Sequence, residues 1–356
     1  MSCPITGREI RLAAIGPMPP PINGQSVVME HMVAKFSERF PRLRVADTSG
    51  GPTGPTGAIT KMRNSLASGG AVRGADVVYI AVKAGRGMWL TAATTMMARI
   101  AGARVFLHHH SYAYVRERKF RMVALTRAAG FGAYHIVLSK TMESDLRGVM
   151  PEIKRVVVVG SAALIDGRLL DLPIKEDSPE LVLGHLSNLS REKGLDEVVN
   201  LAVALHRQGK PIRLIIGGPA VGTESMMHLE RAAHELGERF LYQGAILDED
   251  KRNFFADITH FVFPSRYVHE AVPLVLYEAL AAGVVCIATR QGSIAEQLKG
   301  SPSILARNAD SFVQEIEPVL RRGSSSASDS WKCRQAYLRA LGESETELEE
   351  LFALIG

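Results

Sequence analysis

The chain has 356 residues, 46% hydrophobic and 22% charged, a composition that predicts about two globular domains and excludes collagen-like, coiled-coil and wholly disordered proteins. Three scattered cysteines exclude a disulfide framework or a zinc ribbon. The charge is divided unequally, because residues 1–175 hold 24 Lys and Arg against 11 Asp and Glu, whereas residues 176–356 hold 18 against 26.

Strand and helix patterns alternate along the first half of the chain. Short β-rich runs predict strands at residues 10–15, 77–82, 105–108 and 136–138, and helical patterns cover residues 26–40 and 89–100. Between them, the glycine-rich segment 50–57 is too short for a collagen repeat and is interpreted as a loop.

The second half repeats the same alternation. Strands are predicted at residues 181–186, 213–216, 240–242, 259–263, 284–288 and near 303–306, and helices at 194–206, 225–236 and 273–282. Continuous apolar strands separated by helices are typical of parallel sheets covered on both faces. We therefore predict an α/β fold of two doubly wound domains, with ligands at the carboxyl ends of the strands.

Polar segments set the predicted domain limits. Apolar periodicity lapses around residues 166–179, and the Ser-rich stretch 323–330 has the composition of a flexible linker. We assign residues 1–175 to an N-terminal domain, 176–330 to a C-terminal ligand-binding domain and 331–356 to one or two closing helices.

The apolar stretch 271–289 nearly reaches the length of a membrane span. Glu278 lies at its middle, where a carboxylate would cost roughly 2.5–3.5 kcal/mol, and Pro273 and Gly283 interrupt it. A buried helix followed by a buried strand is the better interpretation. The N-terminus also lacks the pattern of a signal peptide, so we expect a cytoplasmic protein.

The most informative segment is Phe263–Gly283, where an apolar strand is followed by a helix that begins near Pro273. A helix N-terminus at the end of a parallel strand favours phosphate binding. Glu270 would lie in the loop, and Glu278 would lie in the first turns of the helix, where a carboxylate can accept hydrogen bonds from a diol.

This segment, with Glu270 and Glu278 inside a frame of Pro-Ser before and Glu-Ala-Leu-Ala-Ala-Gly after, resembles the donor-binding signature of family 4 retaining glycosyltransferases, of the type that builds bacterial polysaccharides and glycolipids. The resemblance implies the GT-B architecture, in which two Rossmann-like domains face each other across a cleft. It extends over residues 181–298 and, more loosely, over the first half.

The resemblance implies a role for each matching position. Lys193 would contact the donor diphosphate, with Arg191 as a second candidate, because Asn188 stands where the family commonly has an arginine. Glu270 would orient the sugar, and Glu278 would hold the ribose. The implied donor-binding set is completed by Gly218, Ile246, Ser265, Leu274 and Val275.

Two positions of the first half also match the family. The Pro- and Gly-rich loop that contains Gly24 resembles the loop that closes over the donor diphosphate, and it lacks the dinucleotide fingerprint of an NAD enzyme. The family has a functional histidine where this chain has three, His108, His109 and His110. His110 matches best, with the other two left open.

The implied activity is that of a hexosyltransferase, which moves a sugar from a UDP- or GDP-linked donor to a hydroxyl of a glycan, glycolipid or small molecule. The resemblance implies that the configuration of the sugar is retained, through a front-face mechanism. No metal or other cofactor is expected, since Asp248, Glu249 and Asp250 have the pattern of an acidic first helix turn and not of a metal-binding motif. The alternatives are a GT-B isomerase or phosphorylase that acts on sugar nucleotides or glycans, and a non-catalytic partner in a glycosylation complex.

A basic helical pattern at residues 116–127 lies in the positively charged half. An anionic membrane surface is therefore a candidate partner for a peripheral protein. Nucleic acid is not expected, because only 6% of the residues are aromatic and none cluster with the basic ones as a base-stacking platform would need. The acidic tail 331–356, with apolar residues at helical spacing, is expected to pack against residues 1–175.

Overall fold

The computed structural model describes residues 9–49, 64 and 67–356. These form two compact units, the described part of Met1–Leu164 together with Ser344–Gly356, and Ile165–Glu343. Each unit has a six-stranded parallel sheet flanked by helices. The predicted loop at 50–57 and the first eight residues lie outside the described residues.

The sheet of the first unit has the order β2-β1-β3-β4-β5-β6, so its strand order reverses between β1 and β3. The strands are β1 (Arg11–Gly16), β2 (Arg42–Asp47), β3 (Val77–Val82), β4 (Arg104–His109), β5 (Tyr134–Val137) and β6 (Arg155–Val158). Four helices described in full accompany them: α1 (Gly24–Arg39), α2 (Met88–Ile100), α3 (Phe120–Ala129) and α4 (Lys140–Val149).

The inner strands match the sequence prediction, because every residue of β3 is buried and forms a continuous apolar run. The edge strands β2 and β6 and the helix α4 were not predicted. In β2 only Ala46 is buried, and α4 buries only Met142 and Leu146. Elements with so little buried surface lack the apolar pattern on which sequence prediction depends.

The second unit has the order β12-β11-β10-β7-β8-β9, a doubly wound sheet that reverses between β7 and β10. Its strands are β7 (Leu181–Leu186), β8 (Ile212–Gly217), β9 (Phe240–Tyr242), β10 (His260–Phe263), β11 (Val285–Thr289) and β12 (Ile304–Ala306). Its helices are α5 (Leu195–Arg207), α6 (Gly222–Leu236), α7 (Asp248–Asp257), α8 (Leu274–Ala281), α9 (Ile294–Gln297) and α10 (Phe312–Arg322).

The central strands of this unit are registered Leu183 to Leu214 and Leu183 to His260. Leucine, valine and isoleucine side chains of β7, β8 and α5 form a common buried core. The apolar stretch 271–289 is the buried helix α8 followed by the buried strand β11, as predicted. Across the described chain, no helix is both long and apolar enough to span a membrane.

The Ser-rich stretch 323–330 is not a flexible linker. Ser325 pairs with Ser178 in an antiparallel bridge, and Ser330 is buried, with its Oγ accepting a hydrogen bond from the backbone of Lys175 at 3.0 Å. A Cβ on Gly283 would lie 2.4 Å from the same Oγ. Ser330 therefore packs directly against Gly283, and both serines belong to the folded part of the second unit.

The long helix α11 (Ala327–Ile355) corrects the expectation for the tail. Its first part belongs to the second unit, where Tyr337 packs against Tyr277 at 6.4 Å between ring centroids. Only residues 344–356 join the first unit, where Phe352 packs edge-on against Phe36 at 5.9 Å and Glu347 accepts a hydrogen bond from the backbone of Gly160 at 2.7 Å.

Candidate active site

The candidate site of the second unit lies at the carboxyl ends of β7 and β10, which flank the reversal of strand order. The loop after β7 ends in a short 3₁₀ turn at Arg191–Lys193. The loop after β10 leads to α8, whose N-cap is Pro273. Parallel strands that diverge from such a point leave a crevice between their loops, where ligands of doubly wound sheets bind.

Lys193 and Glu270 meet in this crevice, although 77 residues separate them in the sequence. The Lys193 Nζ lies 2.6 Å from the Glu270 Oε2, and the Ser265 hydroxyl donates to the same oxygen at 3.0 Å. The Glu270 side chain is only 11% exposed and that of Lys193 is 25% exposed. The structure therefore brings together three of the predicted residues as one charged, partly desolvated cluster.

A close backbone approach joins the two loops. Gly194 has a φ of +79°, and a Cβ at this position would lie 2.2 Å from the carbonyl oxygen of Pro264. Only glycine accepts both this left-handed conformation and this proximity. The glycine after Lys193 thus lets the diphosphate-binding loop predicted from the sequence lie directly against the loop that contains Glu270.

Arg266 reinforces the junction and was missed by the sequence analysis. Its guanidinium bonds to Asp196 at 2.6 Å and to Glu197 at 2.7 Å, and its backbone N–H donates to the carbonyl of Glu192 at 2.8 Å. Because the pairs are largely shielded from water, they fix the relative position of the loops more firmly than exposed salt bridges would. The sequence contains no spacing signal that links these residues.

Glu278 lies in α8 and is almost fully buried, with 6% of its side chain exposed. Its Oε1 accepts a hydrogen bond from the Lys251 Nζ of α7 at 2.5 Å. Lys251 is a second functional candidate that the sequence analysis missed, because it noted α7 only for its acidic first turn. A buried carboxylate with one bonded oxygen retains acceptor capacity for a ligand hydroxyl.

The loops after β8 and β9 also interlock. Gly218, at a φ of +112°, would place a Cβ 1.8 Å from the carbonyl oxygen of Ser187, and its N–H donates to the carbonyl of Gly244 at 2.6 Å. The Tyr242 hydroxyl donates to the Gly218 carbonyl at 3.0 Å. Ile246 is buried nearby against Gly217. The loops after β8 and β9 therefore present mainly backbone atoms at the carboxyl edge of this sheet.

The remaining predicted residues of this unit lie on its surface or at the start of α8. Asn188 and Arg191 are exposed, so their side chains are accessible to a ligand. Leu274 and Val275 begin α8, where the first backbone N–H groups have no partner within the helix and attract anions.

His185, at the end of β7, is fully buried and links two strands. Its Nδ1 lies 2.8 Å from the carbonyl oxygen of Val262 and therefore donates, while its Nε2 lies 2.9 Å from the Ser187 hydroxyl and accepts. Burial lowers the pKa of His185 to about 4, and the charge of Lys193 contributes in the same direction. The imidazole is therefore neutral at physiological pH.

The first unit contains Gly24 and the run of three histidines. Gly24 begins α1, which Asn23 caps. His108 and His109 are fully buried and bonded, His108 to the Tyr79 hydroxyl at 2.5 Å and His109 to His135 at 2.9 Å.

Of the three consecutive histidines, His110 alone retains exposed surface. Burial lowers the pKa of His110 to about 3. Its Nε2 is nevertheless buried without a hydrogen-bond partner, so the exposed surface of the residue lies elsewhere. The roles of Gly24 and His110 stay predictions.

Side chains that could bind a metal ion do not cluster in the described part of the molecule. Within residues 9–49, 64 and 67–356, no cluster of three His, Cys, Asp or Glu side chains could hold an ion. Asp248–Asp257 is a helix, so Glu249 and Asp250 belong to its first turn, as the sequence indicated.

Comparison with known proteins identifies the second unit. Residues 172–331 match the family model for glycosyl transferases group 1. This is a glycosyltransferase domain. It includes both loops of the crevice that contains Lys193 and Glu270, so the glycosyltransferase family predicted from the sequence is confirmed for this domain.

One relative matches part of this chain. One subunit of the phosphatidylinositol N-acetylglucosaminyltransferase of Arabidopsis thaliana is 27% identical over 139 residues, which cover 38% of this chain and 30% of that protein. The chain therefore matches less than a third of that relative's length.

Solved structures confirm the predicted GT-B fold. Anabaena Alr3699/HepE in complex with UDP superposes with a TM-score of 0.70 at 14% identity and covers 97% of this chain and 100% of its own. Sucrose-phosphate synthase from Thermosynechococcus elongatus gives a TM-score of 0.69 at 16% identity, covering 97% and 98% of the two chains.

Proposed function

We propose that this protein is a retaining glycosyltransferase that moves a sugar from a nucleotide-sugar donor to an acceptor hydroxyl without a metal ion. The observation that supports this most directly is the cluster of Lys193, Glu270 and Ser265 beside the N-terminus of α8. A cation, a helix dipole and a carboxylate at one crevice suit a donor that has both a diphosphate and a sugar.

Each group has a distinct role in this proposal. Lys193 and the backbone N–H groups of Leu274 and Val275 bind the diphosphate, and Glu270 accepts hydrogen bonds from hydroxyls of the sugar. Glu278 accepts hydrogen bonds from the ribose. We favour a uridine nucleotide because the Anabaena relative was solved in complex with UDP; a GDP-linked donor is the alternative.

The proposed reaction proceeds on one face of the sugar. The bond between the anomeric carbon and the diphosphate oxygen breaks, and the acceptor oxygen bonds to the same face of that carbon. The leaving diphosphate takes the acceptor proton, so no separate base is needed. Preorganised positive groups such as Lys193 stabilise the charge that develops on the leaving group, usually the largest contribution to catalysis of this kind.

The acceptor is proposed to be a glycan or a lipid-linked hydroxyl at an anionic membrane surface. This part of the proposal is supported by the excess of 24 basic over 11 acidic residues in residues 1–175, since basic surfaces are attracted to anionic lipids. Such a location would make the protein peripheral on the cytoplasmic face.

Donor binding is the first test. Glu278→Ala should raise the dissociation constant for UDP roughly 10- to 150-fold, because a hydrogen bond to a charged group contributes about 1.5–3 kcal/mol. Glu315→Ala is the matched control, since Glu315 lies in the first turn of α10, another helix of the same unit. Unchanged UDP binding in Glu278→Ala would contradict the ribose assignment.

Product analysis tests the reaction itself. Incubation of the protein with a UDP-sugar and a lipid-linked acceptor should release UDP, and nuclear magnetic resonance of the fresh product should show the anomeric configuration of the donor. An inverted product would refute the front-face mechanism. Binding of UDP without any transfer across an acceptor panel would instead favour a non-catalytic partner.

A further inference from the structure

Helix α2 (Met88–Ile100) exposes large apolar side chains and buries several polar ones, the opposite of an ordinary surface helix. Its buried side includes the threonines Thr91, Thr94 and Thr95, whereas its exposed side consists mainly of large apolar residues. Those exposed residues are Trp89, Leu90, Met96, Met97 and Ile100. At 100° per residue they form one stripe, and Ile100 is 79% exposed.

The neighbouring helix α3 extends this stripe into a surface. Phe120, at its start, is 72% exposed, and its ring contacts that of Trp89 at 5.7 Å between centroids. Phe131, just after its end, is 80% exposed. We call the surface formed by these side chains the apolar face, and its members are Trp89, Leu90, Met96, Met97, Ile100, Phe120 and Phe131.

A basic cavity adjoins the apolar face. It has a volume of about 1170 Å³ and lies at the amino ends of β4, β5 and β6, the sheet edge opposite the one that binds ligands in this fold class. Phe131 is part of its wall. Among the described residues, six basic side chains line it together with one acidic residue, Glu152: Arg99, Arg104, Arg118, Arg127, Lys154 and Arg155.

Three of these arginines donate hydrogen bonds to backbone carbonyl oxygens, which have no net charge. Arg99 donates to the carbonyl of Arg127 at 3.0 Å, and Arg104 donates to the carbonyl of Leu354 at 2.8 Å. Arg155 donates to a backbone carbonyl in the same way. These bonds orient the guanidinium groups without neutralising them. Arg118 is paired with Glu152 at 2.7 Å, which leaves the charge of the other five lining cations unmatched by the one acidic residue, so the cavity attracts anions.

We propose that the apolar face docks on an anionic membrane, with lipid phosphate groups entering the basic cavity. This inference rests on the proposed function and specifies the surface for its membrane association. Exposed Trp and Phe beside Arg and Lys match the two layers of a membrane interface, since aromatic rings prefer the headgroup region and basic residues are attracted to anionic headgroups. A second copy of the same basic surface would be repelled.

Vesicle co-sedimentation tests the proposal. The full-length protein should bind vesicles of equimolar phosphatidylcholine and phosphatidylglycerol, and bind vesicles of phosphatidylcholine alone at least tenfold more weakly. Replacing the cavity residues Arg127 and Lys154 by Ala should weaken binding about 25-fold, from about fivefold for each basic residue near the surface. The double variant Trp89→Ala, Ile100→Ala should bind the anionic vesicles at least tenfold more weakly than the wild type.

Matched controls come from the second unit. Lys299→Ala removes an exposed cation, and Val319→Ala removes a side chain that is 48% exposed; both should bind vesicles as the wild type does. Equal binding to both kinds of vesicle would overturn the proposal, as would wild-type binding by the double variants. A concentration-dependent dimer that Trp89→Ala dissociates, with no vesicle binding, would also overturn it.

UDP affinity, measured on the same variants without vesicles, separates this inference from the proposed glycosyl transfer. All variants should bind UDP as the wild type does, because none lies at the candidate active site. Vesicle binding without UDP binding would leave the docking surface intact and remove the proposed function.

Discussion

Acidification should destabilise the second unit through His185. The residue is 0% exposed, and burial lowers its pKa to about 4 from an ordinary value of 6.5. Above pH 6.5 the imidazole is neutral in the folded and the unfolded chain. Below that pH the unfolded chain binds a proton that the folded chain does not, so stability falls as the pH drops from about 6.5 to about 4.

The size of the effect follows from the same two values. Each unit of pKa difference corresponds to about 1.4 kcal/mol, so the linkage limit is about 3 kcal/mol at about pH 4. Most of the change that is easy to measure falls between about pH 6 and pH 5, where His185 should remove about 1 kcal/mol from the free energy of unfolding.

His185→Asn isolates this contribution. Asparagine can still donate to the carbonyl of Val262 but cannot titrate, so the variant should lose some stability near neutral pH and less than the wild type on acidification from about pH 6 to pH 5. Denaturant unfolding at each pH measures this difference. His234→Asn, which replaces an exposed histidine of α6, is the control. A His185→Asn variant with the full acid dependence of the wild type would refute the reasoning.

Three other changes test the structure. Gly194→Ala should weaken UDP binding at least tenfold and cost at least about 1–3 kcal/mol of stability, whereas Gly209→Ala, with a similar φ of +76° but nothing within 4 Å, should cost only the backbone strain. Phe352→Ala should lower the free energy of unfolding of the first unit by about 3 kcal/mol, since it empties the contact with Phe36; a loss below about 1 kcal/mol would contradict that packing. Glycosyl transfer should persist in excess chelator, and a magnesium or manganese requirement would exclude the metal-free mechanism.

The sequence was most informative where burial was complete. The strand Leu181–Leu186 was predicted with its observed limits, because its residues are apolar apart from Gly184 and His185 and are buried along almost its whole length. The edge strand Arg42–Asp47 was missed because most of its side chains contact water, and a solvated strand has no apolar alternation that distinguishes it from a loop.

The candidate site shows the same division. Glu270 and Lys193 were identified by motifs that lie next to strand ends, and the structure places them in contact. Lys251 and Arg266 were not identified, because their partners are 27 and about 70 residues away. Ion pairs between elements that are distant in the sequence depend on how the strands are ordered in the sheet, and a single sequence gives no measure of that order.

The interlocked loops after β7 and β10 have a consequence for protein engineering. Lys193 with Glu270 joins one loop to the other, and Arg266 of the second loop pairs with Asp196 at the start of α5, directly after the first loop. At position 194 only glycine fits against the backbone of Pro264. Grafting one loop alone from a different scaffold would leave at least one residue of these ion pairs without its partner. The smallest exchangeable cassette for altering the ligand preference of this unit is therefore both loops together, although about 70 residues of sequence separate them.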